Sequence, residues 1–440
     1  MTSIQLAARP IVKRITDVLA EARERTLLLI APLNDRDLAV QHDPLMSPVI
    51  WDLGHIAHFE ELWLTRNLDG PVEFVEMPGL YNPFEHPRGE RGALALPALE
   101  ECRARMTEIR ERVLDRLHRV GLDDDDPLRR DGYVYAMVAQ HEYQHDETII
   151  QTLQLKTGAP YRAPRRVTLP APTRPVDARH MVRFPGGRVA IGTNDRARAY
   201  DNERPRHFVD LPPFWIDAHP VANGAYLEFM NAGGYSTRAF WSDAGWEWLQ
   251  EAGVSAPKYW TRDDAGWSTR IMDRVQPVDR AQPVCHVCYH EADAFARWAG
   301  KRLPTEQEWE AAAAWDAAAH RPRTYPWGEE PPAPHLANVD QLAFDVARIG
   351  AYPRNVSPTG CSGMIGDVWE WTSSDFTGYP GFESFPYREY SEVFFGSEYK
   401  VLRGGSWATR AGAIRNTFRN WDYPIRRQIF SGFRCARSDA

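Results

Sequence analysis

An α-helical bundle followed by a loop-rich α+β domain is the fold class the sequence predicts, and three observations predict it. The chain has 440 residues, too many for one ordinary core at roughly 150 residues per domain. Before about residue 157 it holds four stretches with helical apolar spacing. From Met181 onward the texture changes to short apolar runs broken by Gly, Pro and Asn, and most of the 16 tryptophans lie there.

The first helix is read near 11–30, seeded by Ile11, Ile15, Val18, Leu19 and Ala22. The second starts at Ser47-Pro48, a capping residue followed by proline at the first helical position, and runs to about Asn67. The third follows Pro97 and carries Leu99, Cys102, Met106, Ile109, Val113 and Leu117 at 3.6-residue spacing. The fourth runs from about Tyr133 to Thr157 and is stopped by Gly158-Ala-Pro160. Four helices, each with a face to bury, make a four-helix bundle the simplest architecture. Asp123-Asp-Asp-Asp126 reads as a solvated loop between the third and fourth. Residues 159–180, rich in proline and arginine, read as a linker. The expected organisation is therefore 1–158 helical, 159–180 linker and 181–440 α+β, with no repeat of fixed period.

Composition narrows the function classes. Hydrophobic residues make up 43% and charged residues 25%, the balance of a soluble globular chain. Lys+Arg 52 against Asp+Glu 60 gives a net charge of −8, which disfavours nucleic acid and anionic membranes as partners and is compatible with a monomer. The apolar stretch Leu27 to Leu33 is too short to span a bilayer. The opening Met1-Thr-Ser-Ile-Gln lacks a signal-peptide pattern, and five cysteines argue against a disulfide framework. The expected location is the cytoplasm.

The strongest chemical signal is His141-Glu-Tyr-Gln-His145 in the fourth helix. Histidines four apart share a helical face and can share a metal ion, and this face also carries Met137 and Val134. The second helix holds Trp51-Asp-Leu-Gly-His55-Ile-Ala-His58, with His55 on the stripe of Trp51, Phe59 and Leu62. His55 from a facing helix completes a set of three that leaves metal positions open, which suits Fe(II), or Zn(II) as the fallback. The competing reading is three core histidines satisfied by hydrogen bonds. A closed, structural site would need a fourth ligand, for which His58 is the candidate.

The string also matches the H-E-x-x-H metalloprotease motif. Its extended form wants Gly at 148 and His at 151, where the chain has Thr148 and Gln151, and no Asp or Glu occurs between Glu147 and Asp177. A zinc hydrolase is therefore the runner-up. Cys285-His-Val-Cys288 has no second pair to close a zinc site and is expected to do no chemistry. Arg88 and Arg91, in the loop between the second and third helices, could clamp a substrate carboxylate.

From about 180 to 437 the chain resembles the formylglycine-generating-enzyme (sulfatase-modifying factor) domain, a variant of the C-type-lectin fold. The resemblance rests on Phe184-Pro-Gly-Gly187, Asn202-Glu-Arg-Pro205, Gly300-Lys-Arg-Leu-Pro-Thr-Glu-Gln-Glu-Trp309, Tyr325-Pro-Trp-Gly328, Gly366-Asp-Val-Trp-Glu-Trp371, Leu402-Arg-Gly-Gly-Ser-Trp407 and Gly432-Phe-Arg-Cys435. The formylglycine-generating enzymes carry reactive cysteines shortly before that last motif. Arg415-Asn-Thr-Phe-Arg-Asn-Trp421 has none, so their copper chemistry should be absent.

The helical part looks like a DinB-type bundle. The two modules in this order resemble the ergothioneine-biosynthesis sulfoxide synthases (hercynine oxygenases), and within them the actinobacterial type. These are non-haem iron enzymes that join a thiol to C2 of the imidazole of trimethylhistidine (hercynine) with O2. The resemblance implies Fe(II) on His55, His141 and His145, and γ-glutamylcysteine as the thiol. It implies that Arg88 and Arg91 hold the glutamyl part, that Asp422 pairs with its amino group, and that Gln144, Tyr390 and Trp421 meet hercynine. The catalytic tyrosine is by motif context Tyr387 of Pro386-Tyr-Arg-Glu-Tyr390, with Tyr379 of Tyr379-Pro-Gly-Phe382 as the other candidate. Cysteine as donor, unmethylated histidine as acceptor, and a lectin-like binding protein stay open as alternatives. Since the residues come from both modules, neither alone is expected to be active.

These residue types suit that chemistry. Three open positions accommodate a thiolate, an imidazole nitrogen and O2, and a positioned tyrosine hydroxyl can supply a proton. A quaternary ammonium cannot donate a hydrogen bond, so aromatic faces hold it best.

Overall fold

The computed structural model describes residues 3–68, 79–122, 125–163 and 166–439. The chain divides into two compact units. One comprises Met1–Pro164 with two short segments from further along, Asp195–Tyr200 and Phe385–Tyr387; the other comprises Arg165–Asn194, Asp201–Ser384 and Arg388–Ala440.

The first unit is built on α1 (Ser3–Ile30), a short α2 (Asp35–Ala39), α3 (Val49–Glu61), α4 (Leu99–Leu117) and α5 (Tyr133–Leu155). The four long helices are those the apolar spacing predicts. On α4 the inward stripe is Cys102, Met106, Ile109, Val113 and Leu117, all buried. Helix α3 is buried on nearly every side, from Val49 to Glu61, which is why its sequence shows a weaker amphipathic pattern. It continues into a π-helical turn, Leu62–Arg66, that holds Trp63 inside.

Two local details differ from the sequence reading. Ser47 does not cap α3: Pro48 takes the cap position without a side-chain bond, and the Ser47 hydroxyl accepts from Arg91 Nη1 at 2.8 Å. The guanidinium outcompetes the helix N–H groups for that oxygen, since charge-assisted bonds are the stronger. Of the acidic run, Asp123 and Asp124 lie outside the described residues. Asp126 is no idle surface charge, for it accepts from the Leu128 N–H and pairs with Arg129.

One charged side chain from each long helix meets in the bundle interior. Arg23 of α1 donates to Glu60 of α3 at 2.7 Å and to Glu142 of α5 at 2.8 Å, and Arg110 of α4 donates to Glu60 at 2.5 Å. Two positive and two negative groups cancel. This satisfies the rule that buried charges are paired.

The second unit holds small sheets and short helices. Met181–Phe184, Phe214–Asp217 and Ala436–Ser438 form one antiparallel sheet, and Trp369–Phe376 and Gly396–Arg403 centre a four-stranded one. Phe184, Ile191, Phe214, Ile216, Trp309 and Met364 pack in its core. The recognisable motifs turn out to be its internal polar frame. Glu370 accepts from Trp309 Nε1 at 2.7 Å and from Arg434 Nε at 2.6 Å, Arg403 pairs with Glu310, and Arg419 pairs with Glu306 at 2.9 Å. The stretch 166–180 is not a bare linker: the Val167 N–H donates to Leu342 O, and Arg166 pairs with Asp273.

Candidate metal centre

Helix α3 delivers His55, and α5 delivers His141 and His145. One nitrogen from each lies within 4.8 Å of the others, and this is the one group of three or more such side chains among the described residues. The ring centroids are 4.5 to 5.1 Å apart, so the spacing of four on α5 and the facing position on α3 converge as the sequence implied. His58 is not in the group; its ring stands 6.4 Å from Tyr81. Among the described residues the set is therefore three, with no fourth ligand of the same kind.

The residues fit a divalent metal. Burial pushes the His55 and His141 imidazoles well below 6.5, with the neighbouring histidines adding to the effect, so both are neutral donors at neutral pH. His55 Nδ1 faces the Tyr81 carbonyl at 2.8 Å and His145 Nδ1 faces Asp52 Oδ1 at 3.1 Å. Each contact places the proton on Nδ1 and leaves Nε2 to ligate. His141 is held by stacking on Phe59 at 3.7 Å. The Tyr81 carbonyl reaches His55 because residue 54 is glycine: a Cβ there would lie 2.0 Å from the Tyr81 ring.

Beside His55, Trp51 stacks at 4.9 Å, and the Arg91 guanidinium lies 3.6 Å over the Trp51 ring. Arg91 is buried, and its Nε and Nη1 are occupied by His86 O and Ser47 Oγ at 2.8 Å each. Burial, and then Arg88, pull its pKa down to about 10. Arg88 is exposed. Nη2 of Arg91, whose one contact among these is Pro83 O at 3.5 Å, is the nitrogen least committed and can meet an outside anion.

Tyr387, in the short segment that clusters with the helices, stacks on Trp63 at 5.1 Å and meets Phe59 at 6.2 Å. Tyr379 belongs to the second unit. There Arg419 lies 4.2 Å over its ring, its hydroxyl is 3.4 Å from Glu310, and burial pushes that hydroxyl's pKa up. Gln144 is half-buried between the two α5 histidines, and its Oε1 accepts from the Tyr200 hydroxyl at 3.4 Å. In the second unit Trp421 stacks on Phe376 at 4.1 Å with Tyr390 edge-on at 5.9 Å, and Asp422 has Arg426 at 3.4 Å. All five cysteines are buried and free, and burial pushes the Cys285 and Cys288 thiols up, away from reactive thiolate.

Glu142, the acid of the H-E-x-x-H string, faces Arg23 and Thr26 rather than the histidines. Glu142 is thus not placed as the general base that the H-E-x-x-H motif assigns to it. Sequence reasoning gave no site role to Asp52, Trp63 or Tyr200, and placed Phe59 only on the stripe of His55. Asp52 could have been found, since a carboxylate three residues before His55 on an apolar helix shares its face.

Residues 19–149 match the DinB superfamily and residues 167–439 the sulfatase-modifying factor enzyme 1-like domain. The chain is 46% identical over 427 residues to the hercynine oxygenase of Mycolicibacterium thermoresistibile, covering 95% of this chain and 93% of that one. It is 46% identical to those of Mycolicibacterium smegmatis (96% and 98% covered) and Mycobacterium tuberculosis (95% and 97%). With both domains matched and the likeness running from end to end, the chain belongs to the hercynine oxygenase family.

Proposed function

We propose that this chain joins γ-glutamylcysteine to C2 of hercynine with O2, at Fe(II) held by His55, His141 and His145, to give γ-glutamyl-hercynylcysteine sulfoxide in ergothioneine biosynthesis. The observation that carries the reading is the three-histidine group in a chain that matches hercynine oxygenases along nearly its whole length. The reaction balances without an outside reductant: two hydrogens leave the substrates, one oxygen atom enters the product, and the other leaves as water.

Bound there, Fe(II) on three imidazoles would supply the site at which O2 is reduced and the thiolate is activated. The chain's residues do the rest. His55 and His145 keep their protons on Nδ1, against the Tyr81 carbonyl and Asp52. Arg88 and the remaining Nη2 of Arg91 take the glutamyl carboxylate, and Asp422 takes the glutamyl ammonium. Gln144 offers its amide N–H to hercynine, because Tyr200 donates to its carbonyl oxygen. Tyr390 and Trp421 give aromatic faces to the trimethylammonium. Tyr387 holds a proton at its hydroxyl and delivers it as oxygen is reduced.

The test is anaerobic reconstitution with Fe(II), addition of hercynine and γ-glutamylcysteine, admission of O2, and mass spectrometry. A product equal to both substrates less two hydrogens plus one oxygen supports the reading. Oxidised thiol alone would leave the iron site standing and overturn the substrate pair.

A further inference from the structure

The three histidines have different groups behind them: a backbone carbonyl for His55, an aromatic ring for His141, a carboxylate for His145. The carboxylate is unusual for its place. Asp52 is 1% exposed on α3, its Oδ1 receives His145 Nδ1–H at 3.1 Å, and its Oδ2 is buried with no hydrogen-bond partner. A buried carboxylate oxygen without a partner destabilises the fold it sits in. A residue kept only for packing would have no need of that charge.

We infer that Asp52 is a positioning residue for the metal centre: it fixes Nε2 of His145 as the ligand atom and sets a negative charge behind that ligand. The inference rests on reading the three histidines as a metal site. A dication held by His145 would favour a carboxylate in that position, one of whose oxygens otherwise lacks a hydrogen-bond partner. A carboxylate behind a ligating histidine raises its basicity and locks its orientation, and loss of such a partner typically weakens metal binding 10- to 100-fold. Asp52 is thus set against the empty fold and in favour of the loaded one.

The test compares the full-length protein with Asp52→Asn, whose amide oxygen can still accept from Nδ1–H but carries no charge. Co(II) affinity is read from ligand-field absorption in chelator-buffered titrations, and thermal unfolding is followed without metal. Asp52→Asn should bind Co(II) roughly 10- to 100-fold more weakly while its metal-free form melts at the wild-type temperature or above. Equal Co(II) affinity, or binding and metal-free stability falling together as for a structural residue, overturns the inference. Wild-type protein that binds no Co(II) overturns the three-histidine reading itself and this inference with it. A second measurement does not depend on the variant folding: nitrogen NMR of histidine-labelled wild-type protein, assigned with His145→Gln. His145 should be the Nδ1–H tautomer, and the Nε2–H tautomer overturns the inference.

Discussion

The Tyr387 ring stands 6.2 Å from that of Phe59, and Phe59 in turn stacks at 3.7 Å on His141. One aromatic ring, Phe59, therefore links this tyrosine to a histidine of the metal group. Tyr387→Phe removes the hydroxyl and leaves the packing on Phe59 and Trp63. Metal and substrate binding should persist while sulfoxide formation falls by roughly 10²- to 10⁴-fold, the range for losing a positioned proton donor, with thiol oxidised to sulfinic acid instead. Single-turnover product ratios by mass spectrometry decide it, and an unchanged sulfoxide yield would remove Tyr387 from the mechanism.

Arg88 and Arg91 should separate into a residue that only binds substrate and one that binds it and also holds the fold. Arg88 is exposed, whereas Arg91 is buried on Trp51 with two of its donors already occupied. Arg88→Ala should raise KM for γ-glutamylcysteine far more than for cysteine and leave the melting temperature alone. Arg91→Ala should also destabilise, by about 1–3 kcal/mol from unpaired buried acceptors and lost stacking. Equal effects of Arg88→Ala on both thiols would remove the reason for choosing γ-glutamylcysteine over cysteine.

The interior ion quartet gives a stability prediction. Glu142 accepts from Arg23 at 2.8 Å and from Thr26 at 2.9 Å. Glu142→Leu should cost roughly 3–5 kcal/mol in urea unfolding, because it strands buried guanidinium charge. Restoring neutrality with Arg23→Met in the same chain should recover part of that loss. A double variant no better than the single would show that the charges are not coupled.

In the second unit, Asp367 lines a cleft of about 410 Å³ with His219, Tyr352 and Asn355. Burial raises its pKa from 3.8 to about 7, although Asn338 Nδ2 and the Ala347 N–H, each at 2.7 Å, pull the other way. The folded chain thus holds this proton more tightly than the unfolded one. Its contribution to stability is full below about pH 4 and is lost as pH rises toward 7. Asp367→Asn should flatten the fall in stability between pH 4 and 7, measured by urea unfolding at stepped pH. A slope as steep as the wild type's would refute the assignment.

Much of this protein could be read from its sequence alone, wherever the information is local or periodic. The α4 stripe from Cys102 to Leu117 follows from 3.6-residue spacing, and two histidines four apart on α5 share a face whatever surrounds them. The C-terminal motifs are equally legible because each is a fixed string, such as the capping box that Thr305 and Glu308 form at the start of their helix.

Tertiary structure decided what depends on partners distant in sequence. Ser47 faces Arg91 instead of capping its helix, and Glu142 is turned to Arg23, which removes the base of the protease reading. Residues 195–200 and 385–387 cluster with the helices though they lie far along the chain. Asp52 acquires its place only because α5 sets His145 against it. The physical reason is one: a side chain's role follows from which groups share its buried surroundings, and those surroundings are assembled by packing rather than by neighbours in sequence.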